Sequence, residues 1–511
     1  MLRPPQRQIA NLALYAAYLW AYNGTMKSNV FNLIDVELAG KQERVLAGGR
    51  HLFSLLPEAF AGVSRIGVIG WGPQGRAQAL NLRDSLQGTD VRVSVGLRAG
   101  SASIDDARSE GFSEAAGTLG EMSDVIEGSD LVILLIADAA LAENHARIFG
   151  ALKDDAIIGL SHGYLLAHLR AQGEDFPPEH SVVAVCPKGM GVSVRRLYEQ
   201  GRETDGAGIN CSVAIHQDVD DRATDIALGW AVGLGAPFIF ETTLESEYLS
   251  DIPGERAILL AIPHAIAEAV YRRRIELGDP PTRAFIVSTE SMTGVLARTI
   301  SRGGLRAVLD GLSGDARRSF DDAFCATYKA FSPVLRELYD EVRSGTEIAS
   351  VALAAARLDR YPMPTIDGSR MWKTGAAVRE QRGELEVQID PMTSGIFCGA
   401  MMAQIDLLAD ESHPWSEIAN ESVIELVDSL IPYMHARGVA YMVDNCSTTA
   451  RLGARKWGPR FEAAITQQVF PLLDEQGARD EMLIKRLEEH PLHEVLKTIG
   501  QYRPSVDVAV S

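Results

Sequence analysis

The 511-residue chain is 46% apolar and 23% charged, ordinary values for a folded protein and far from those of a disordered one. Its formal charge of −19 argues against a nucleic-acid partner, because phosphate binding needs a basic face. Five cysteines, Cys186, Cys211, Cys325, Cys398 and Cys446, show no C-x-x-C spacing, which suits a reducing compartment without a disulfide framework, and the length allows roughly three domains.

Residues 1–25 contain Arg3 and Arg7, no acid, and an apolar stretch over 10–22. That composition allows a targeting segment. Asn11 and Asn23 interrupt it and no clear small-residue cleavage site follows, so the preferred reading is an upstream extension with Met26 as the working start, and a cytoplasmic location. No apolar run approaches the length of a membrane span, and no membrane partner is expected. Residues 27–62 read as an approach segment ending in a short apolar helix over about 52–60.

Arg65-Ile-Gly-Val-Ile-Gly70 reads as a buried strand, and residues 77–86 read as a helix. Between them lies Gly70-Trp71-Gly72-Pro73-Gln74-Gly75, a G-x-G-x-x-G in the strand-to-helix context that dinucleotide binding requires. Gly70 permits the tight turn, Gly72 the approach of backbone to a pyrophosphate, and Gly75 close packing of helix on strand. The helix N-terminus supplies free N–H donors for the phosphates. The next strand, Val91-Arg-Val-Ser-Val95, ends in Gly96-Leu97-Arg98-Ala-Gly-Ser101-Ala-Ser103. An NAD site places an acid here for the ribose 2′-hydroxyl. A guanidinium and two hydroxyls suit a 2′-phosphate instead, so NADP(H) is the expected cofactor.

Three further strand-like runs, 131–136, 156–160 and 182–185, each end in polar residues on the edge where open α/β sheets bind ligands. They deliver Asp138, then His162, then Lys188 and Gly191. A lone histidine is more often a core or surface residue than a catalyst; His162 gains weight from facing the expected cofactor.

From about Thr242 the sequence turns helical. Glu247, Asp251 and Glu255 stand at steps of four, one face of a helix. The run after Arg256 is apolar almost all round, as in a buried helix. Clustered carboxylates at the mouth of a buried helix need a partner, and Mg²⁺ is the hard cation that oxygen ligands suit. A solvated acidic helix end is the plainer alternative. Glu421 and Glu425 repeat the spacing on an amphipathic helical pattern, and two such pairs could converge on one or two metal ions.

A loop over 361–395, rich in Pro, Gly and charge, divides the helical part. Its halves echo each other: Glu290-Ser-Met-Thr-Gly294 resembles Glu421-Ser-Val-Ile-Glu425, and Asp390-Pro-Met-Thr-Ser-Gly395 resembles Asp251-Ile-Pro-Gly-Glu255. In a degenerate duplication each copy would keep the pair the other lost. The expected divisions are an extension over 1–43, a Rossmann domain over 44–241, and helical repeats over 242–391 and 392–511. The polar run Asp444-Asn-Cys-Ser447-Thr-Thr-Ala-Arg451 suits either a site for a substrate carboxylate or a helix cap.

Seven motifs in order, Gly70–Gly75, Gly96–Ser101, Leu160–Gly163, Cys186–Gly191, Ser250–Arg256, Asn420–Glu425 and Asp444–Arg451, resemble those of ketol-acid reductoisomerase, most closely its long, plant-type form. The resemblance runs from about Val30 to the C-terminus. It implies an α/β Rossmann domain followed by an all-α, duplicated, knotted C-terminal domain. It also implies NADPH, two Mg²⁺ ions and an acetohydroxy acid substrate, 2-acetolactate or 2-aceto-2-hydroxybutyrate, in valine and isoleucine synthesis. By motif position Asp251, Glu255, Glu421 and Glu425 would be the metal ligands and Ser447 the substrate contact. His162 and Lys188 would line the reaction site with Glu425, and Arg98, Ser101 and Ser103 the 2′-phosphate pocket. Pro73 and Gly75-Arg76 depart from the plant pattern of the glycine loop. A homo-oligomer is expected. Two other readings stay open: a plain NADP-dependent hydroxyacid dehydrogenase, which needs no paired carboxylates, and a non-catalytic NADP-binding sensor, which has no use for four metal ligands.

Overall fold

The computed structural model describes residues 26–504 apart from positions 205, 359 and 385, so the targeting reading of residues 1–25 lies outside the described residues. The strands in chain order are β1 (Ile34–Leu38), β2 (Lys41–Ala47), β3 (Arg65–Ile69), β4 (Arg92–Leu97), β5 (Leu119–Glu121), β6 (Leu131–Leu134), β7 (Ile157–Leu160), β8 (Val182–Pro187), β9 (Cys211–Gln217) and β10 (Phe238–Glu241). They form one sheet in the order β1-β2-β10-β9-β8-β7-β6-β3-β4-β5. From β5 to β8 every pairing is parallel. The chain leaves β3 for β4 and β5 on one side, then crosses to β6, β7 and β8 on the other. The order therefore reverses between β3 and β6, and ligands of doubly wound sheets bind at such a crevice. The strands of this unit are buried on both faces, which is why they read as unbroken apolar runs.

The other edge departs from the sequence reading. The approach segment contains a hairpin: β1 pairs antiparallel with β2, and β2 with β10. Ala39 and Gly40 both have positive φ, 48° and 79°, as a two-residue hairpin turn matched to strand twist demands. The expected boundary between residues 43 and 44 falls inside β2. β9, antiparallel to β8 and parallel to β10, joins this hairpin to the doubly wound unit.

After β10 the described chain is helical. The helix Pro391–Asp410 runs through the middle and packs along Gly314–Arg343. A Cβ at Gly395 would lie 2.4 Å from the Phe320 carbonyl oxygen, and one at Gly399 2.6 Å from that of Phe324, so these glycines let the two backbones meet. Contrary to the sequence reading, this helix is long and apolar enough to cross a membrane by length and composition; 89% of its apolar window is buried inside the protein, where it is the core. The dividing loop is also less open than expected, since it includes the helix Arg370–Glu380.

Both halves of the helical part contain a π-helix, Ile286–Leu296 in the first and Asn420–Ile424 with Leu426–Leu430 in the second. The motifs that echo each other, around Glu290 and around Glu421, sit on these segments.

Candidate active site

A cavity of about 600 Å³ separates the C-terminal ends of the central strands from the helical half. On the sheet side the glycine loop closes β3. Gly70 holds φ +113°, where a side chain would be strained, and its Cβ would meet the Leu135 carbonyl oxygen at 2.4 Å. A Cβ at Gly75 would lie 2.5 Å from the Gly70 oxygen, so Gly75 lets the helix Pro73–Ser85 sit on the turn. Gly72 has nothing within 4 Å of its Cβ direction and faces the cavity. Gly191 packs where its Cβ would be 2.1 Å from the Pro73 carbonyl, and Gln74 Nε2 donates to Gly189 O at 2.8 Å. The loop is thus fixed from both sides and leaves only Gly72 to Gln74 open to a ligand. Trp71 turns away, its Nε1 donating to Asp106 at 2.5 Å.

Arg98, Ser101 and Ser103 form one turn beyond β4: Ser101 N–H donates to Arg98 O at 3.0 Å, and Ser103 N–H to Ser101 Oγ at 3.3 Å. They lie at the end of the strand beside the crevice rather than in the cavity. Sequence reading gave no role to Arg76, one turn into the loop helix, which pairs with Asp106 and Glu110.

On the helical side Glu247, Asp251 and Glu255 all belong to the helix Leu244–Arg256. Their cations come from the sheet domain. Lys188, at the end of β8, lies 2.5 Å from Glu421 and 3.4 Å from Glu247, with all three side chains buried. His162 Nε2 contacts Asp251 Oδ2 at 2.7 Å, while its Nδ1 accepts the Tyr164 N–H at 3.1 Å. Glu247 accepts the Gly163 N–H at 2.6 Å. Its spacing was visible in the sequence, but its role, tying the His162 turn and Lys188 to the acid helix, was not.

Burial works against a charged His162, yet Asp251 and Glu247 outweigh it and hold the imidazole well above its ordinary pKa. Burial would raise Asp251, but His162 and Lys188 keep it ionised, below the usual range. Burial and the charge of Asp251 push Glu255 up to about 7. Glu421 and Glu425 are raised by burial and by the surrounding carboxylates, with Lys188 opposing.

One oxygen each of Asp251, Glu421 and Glu425 lie within 4.8 Å of one another, and so do single ligand atoms of His162, Asp251 and Glu255. Asp251 belongs to both groups. Glu421 Oε1 meets Lys188, while Glu421 Oε2 and Glu425 Oε2 are buried with no hydrogen-bond partner among the described residues. Buried carboxylate oxygens left this way are costly unless a cation takes them. The donor set, all oxygen except for one imidazole, fits hard divalent cations.

Ser447 lines the same cavity and caps the helix Thr448–Ala464, its Oγ accepting the Ala450 N–H at 3.0 Å. The cap uses the oxygen as acceptor and leaves the O–H free to donate. Asp138 accepts from Thr449 Oγ1 at 2.6 Å, so it fastens this loop to the Rossmann domain as well as facing the cavity.

Residues 62–237 match the family described as "Acetohydroxy acid isomeroreductase, NADPH-binding domain", and residues 244–384 match "Ketol-acid reductoisomerase, C-terminal domain". The chain is 52% identical over 494 residues to the chloroplastic ketol-acid reductoisomerase of Pisum sativum, covering 95% of this chain and 85% of that one. The chain belongs to the ketol-acid reductoisomerase family. The protein of the same name from Spinacia oleracea is also 52% identical, over 95% of this chain and 83% of that one. An NADH-preferring ketol-acid reductoisomerase from an uncultured archean shares the fold at 21% identity, with a TM-score of 0.53, over 64% of this chain and 96% of that one. As a ketol-acid reductoisomerase family member the chain is an enzyme of branched-chain amino-acid biosynthesis, an oxidoreductase and isomerase with an NADP-binding Rossmann domain. Membership sets aside the plain dehydrogenase and the sensor.

Proposed function

We propose that this enzyme converts 2-acetolactate or 2-aceto-2-hydroxybutyrate to the 2,3-dihydroxy acid by alkyl migration followed by hydride transfer from NADPH, and requires Mg²⁺. One observation carries the reading: two overlapping ligand groups share Asp251, Glu421 and Glu425 each keep one unpaired oxygen among the described residues, and Asp251, Glu255 and Glu425 line the same cavity as the glycine loop. Asp251, Glu255, Glu421 and Glu425 would hold two Mg²⁺ ions, whose Lewis acidity polarises the ketone and lowers the pKa of the tertiary hydroxyl.

The chain's own residues do the rest. Glu425, a carboxylate that lines the cavity, would accept the hydroxyl proton. Removing that proton lets the alkyl group migrate to the neighbouring carbon and leaves a 2-keto acid. Hydride then adds to the new carbonyl carbon and a proton to its oxygen. Ser447 O–H donates to the substrate carboxylate. Lys188 and His162 balance the charge of the carboxylates and hold them in place. Gly72 admits the pyrophosphate, which orients the nicotinamide toward the cavity.

Arg98, Ser101 and Ser103 support NADPH over NADH, with the guanidinium and hydroxyls at the 2′-phosphate. We also read the enzyme as a cytoplasmic homo-oligomer, testable by cell fractionation and by light scattering after size-exclusion chromatography. The decisive experiment is NADPH oxidation with 2-acetolactate, with and without Mg²⁺. Metal-dependent turnover is expected; equal rates after chelation would overturn the metal's role.

A further inference from the structure

Asp251 and Glu255 stand on one helix, Glu421 and Glu425 on the segment that follows Trp415–Ala419. Their oxygens meet only if the two elements are held at a fixed spacing. Each stripe of acids has a third member one turn earlier. Glu247 precedes Asp251 and Glu255, and Glu417 precedes Glu421 and Glu425 by the same steps of four. Sequence reading gave Glu417 no place.

Glu247 is taken by Lys188 and the Gly163 N–H, both from the sheet domain. Glu417 is taken by the acid helix itself. Fully buried, it accepts from Thr242 Oγ1, just before that helix, and from Ser246 Oγ, in its first turn, at 2.8 Å. His413 Nδ1 lies 2.7 Å from the same carboxylate and 2.8 Å from Ser246 Oγ, and its Nε2 lies 2.9 Å from the hydroxyl of Tyr339 on the helix Gly314–Arg343. Glu417 stands apart from both ligand groups and from the cavity lining among the described residues. The segment has other anchors. Glu43 of β2 accepts the Trp415 and Ser416 N–H groups at 2.5 and 3.0 Å, and Asn210 Nδ2 donates to Asn420 Oδ1 at 2.9 Å. Those bonds run to the sheet domain; the bonds of Glu417 to Thr242 and Ser246 run to the acid helix.

We propose that Glu417 is a positioning residue for the metal pair: its bonds to Thr242 and Ser246 set the spacing of Glu421 and Glu425 from Asp251 and Glu255. The proposal rests on the Mg²⁺ reading above. Mg²⁺ demands near-ideal octahedral geometry, and a functional site must be held to within about 0.5 Å. An error in this spacing therefore falls on metal affinity, while Glu43 and Asn210 keep the segment in place.

The test is titration calorimetry of Mg²⁺ into the full-length protein, with NADPH affinity measured by fluorescence on the same samples. The unaltered chain is compared with Glu417→Gln, Thr242→Val and Thr242→Ser. Glu417→Gln keeps the size and removes the charge that gathers the donors. Thr242→Val keeps the volume and removes one hydroxyl; Thr242→Ser returns it. The Mg²⁺ Kd should rise at least about tenfold in Glu417→Gln and about threefold or more in Thr242→Val. Thr242→Ser should bind as the unaltered chain does, and the NADPH Kd should not move in any of them. A role confined to stability would not separate the two ligands. Should Glu417→Gln lose NADPH binding as well, Thr242→Val against Thr242→Ser decides by the same criterion. Saturable Mg²⁺ binding that Thr242→Val leaves unchanged overturns the proposal and leaves the metal reading standing. No saturable Mg²⁺ binding by the unaltered chain overturns both.

Discussion

Glu425 is where charge, burial and an open oxygen coincide. Glu425→Gln keeps the size and removes the basicity, so turnover of 2-acetolactate at saturating Mg²⁺ should fall by about 10²–10⁴-fold. NADPH affinity, measured by fluorescence titration of the same variant, should be unchanged, because the glycine loop belongs to the other domain. Near-normal turnover would remove Glu425 from the chemistry. Arg98 is exposed just beyond β4. Arg98→Ala should lower kcat/KM for NADPH by about tenfold or more, the worth of one charge-assisted hydrogen bond, and leave kcat/KM for NADH alone. Equal loss with both cofactors would argue against a 2′-phosphate contact. At this scale the sequence announced residues whose chemistry is local. The spacing of the acids showed that each pair shares a helix face but left a solvated helix end open; the choice of four ligands came from the motif resemblance. The role of Glu247 was hidden because its partners, Lys188 and the Gly163 N–H, come from other elements. Ser447 was left between cap and contact, and it caps while still offering its proton.

Elements with a strong period were read from the sequence, and those held by tertiary context were not. β3, β4, β6, β7 and β8 are buried apolar runs at strand length and stood out within a residue or two. β1 alternates as Ile-Asp-Val-Glu-Leu and turns on Ala39-Gly40, a hairpin signal that the segment's charge obscured. The helix expected around Glu421 is a π-helix, and spacing does not separate it from an α-helix because residues four apart share a face in one and nearly do in the other. Short π segments recur at functional sites. The start of the fold is similarly contextual. The Met26 side chain is buried and its backbone N–H reaches Glu241 at 3.1 and 3.2 Å. A chain beginning at Met26 should fold and turn over as the full chain does, since its new ammonium would face the same carboxylate; loss of soluble, active protein would refute this.

The helix bearing Glu417 is tied to the acid helix by one buried carboxylate. Glu417 accepts from Thr242 Oγ1, from Ser246 Oγ at 2.8 Å, and contacts His413 Nδ1 at 2.7 Å. Burial alone would raise its pKa; these donors outweigh it and bring the carboxyl down to about 2 from 4.5. A depressed carboxylate contributes stability that is present above about pH 4.5 and lost as pH falls toward 2, here on the order of 3 kcal/mol. Glu417→Gln should therefore lower denaturant stability at neutral pH and flatten the acid limb below about pH 4.5. An unchanged slope there would show that the carboxylate is not the group responsible.

Across the whole molecule the two helical halves hold one face with clustered carboxylates, the proposed metal site, and one that resembles it without the cluster. Glu290 corresponds to Glu421 but meets Arg382, whose Nε and Nη2 bond its two oxygens at 2.8 and 2.9 Å. Gly294 stands where Glu425 would, and a Cβ there would lie 2.9 Å from the His435 ring. Burial and the neighbouring arginines hold that histidine neutral, its pKa down to about 3. Asp390 is spent as the cap of the central helix, accepting the Thr393 N–H at 2.8 Å. Removing one partner of a buried pair typically costs about 3–5 kcal/mol, so Arg382→Met should lower the denaturation midpoint, with turnover per folded molecule preserved. Adding Glu290→Gln should restore part of the loss. A fall in turnover without a fall in stability would mean that the pair serves the reaction.

That buried arginine pair has a consequence for how such a chain can change. When one sequence must build both faces of a symmetric structure, each replacement is made twice and is judged by the more demanding place. Here the two copies are inherited as separate stretches. Selection can discard a ligand on one while guarding its counterpart on the other. In the first half an arginine of the chain itself fills the place that the proposed reading gives to a metal ion in the second.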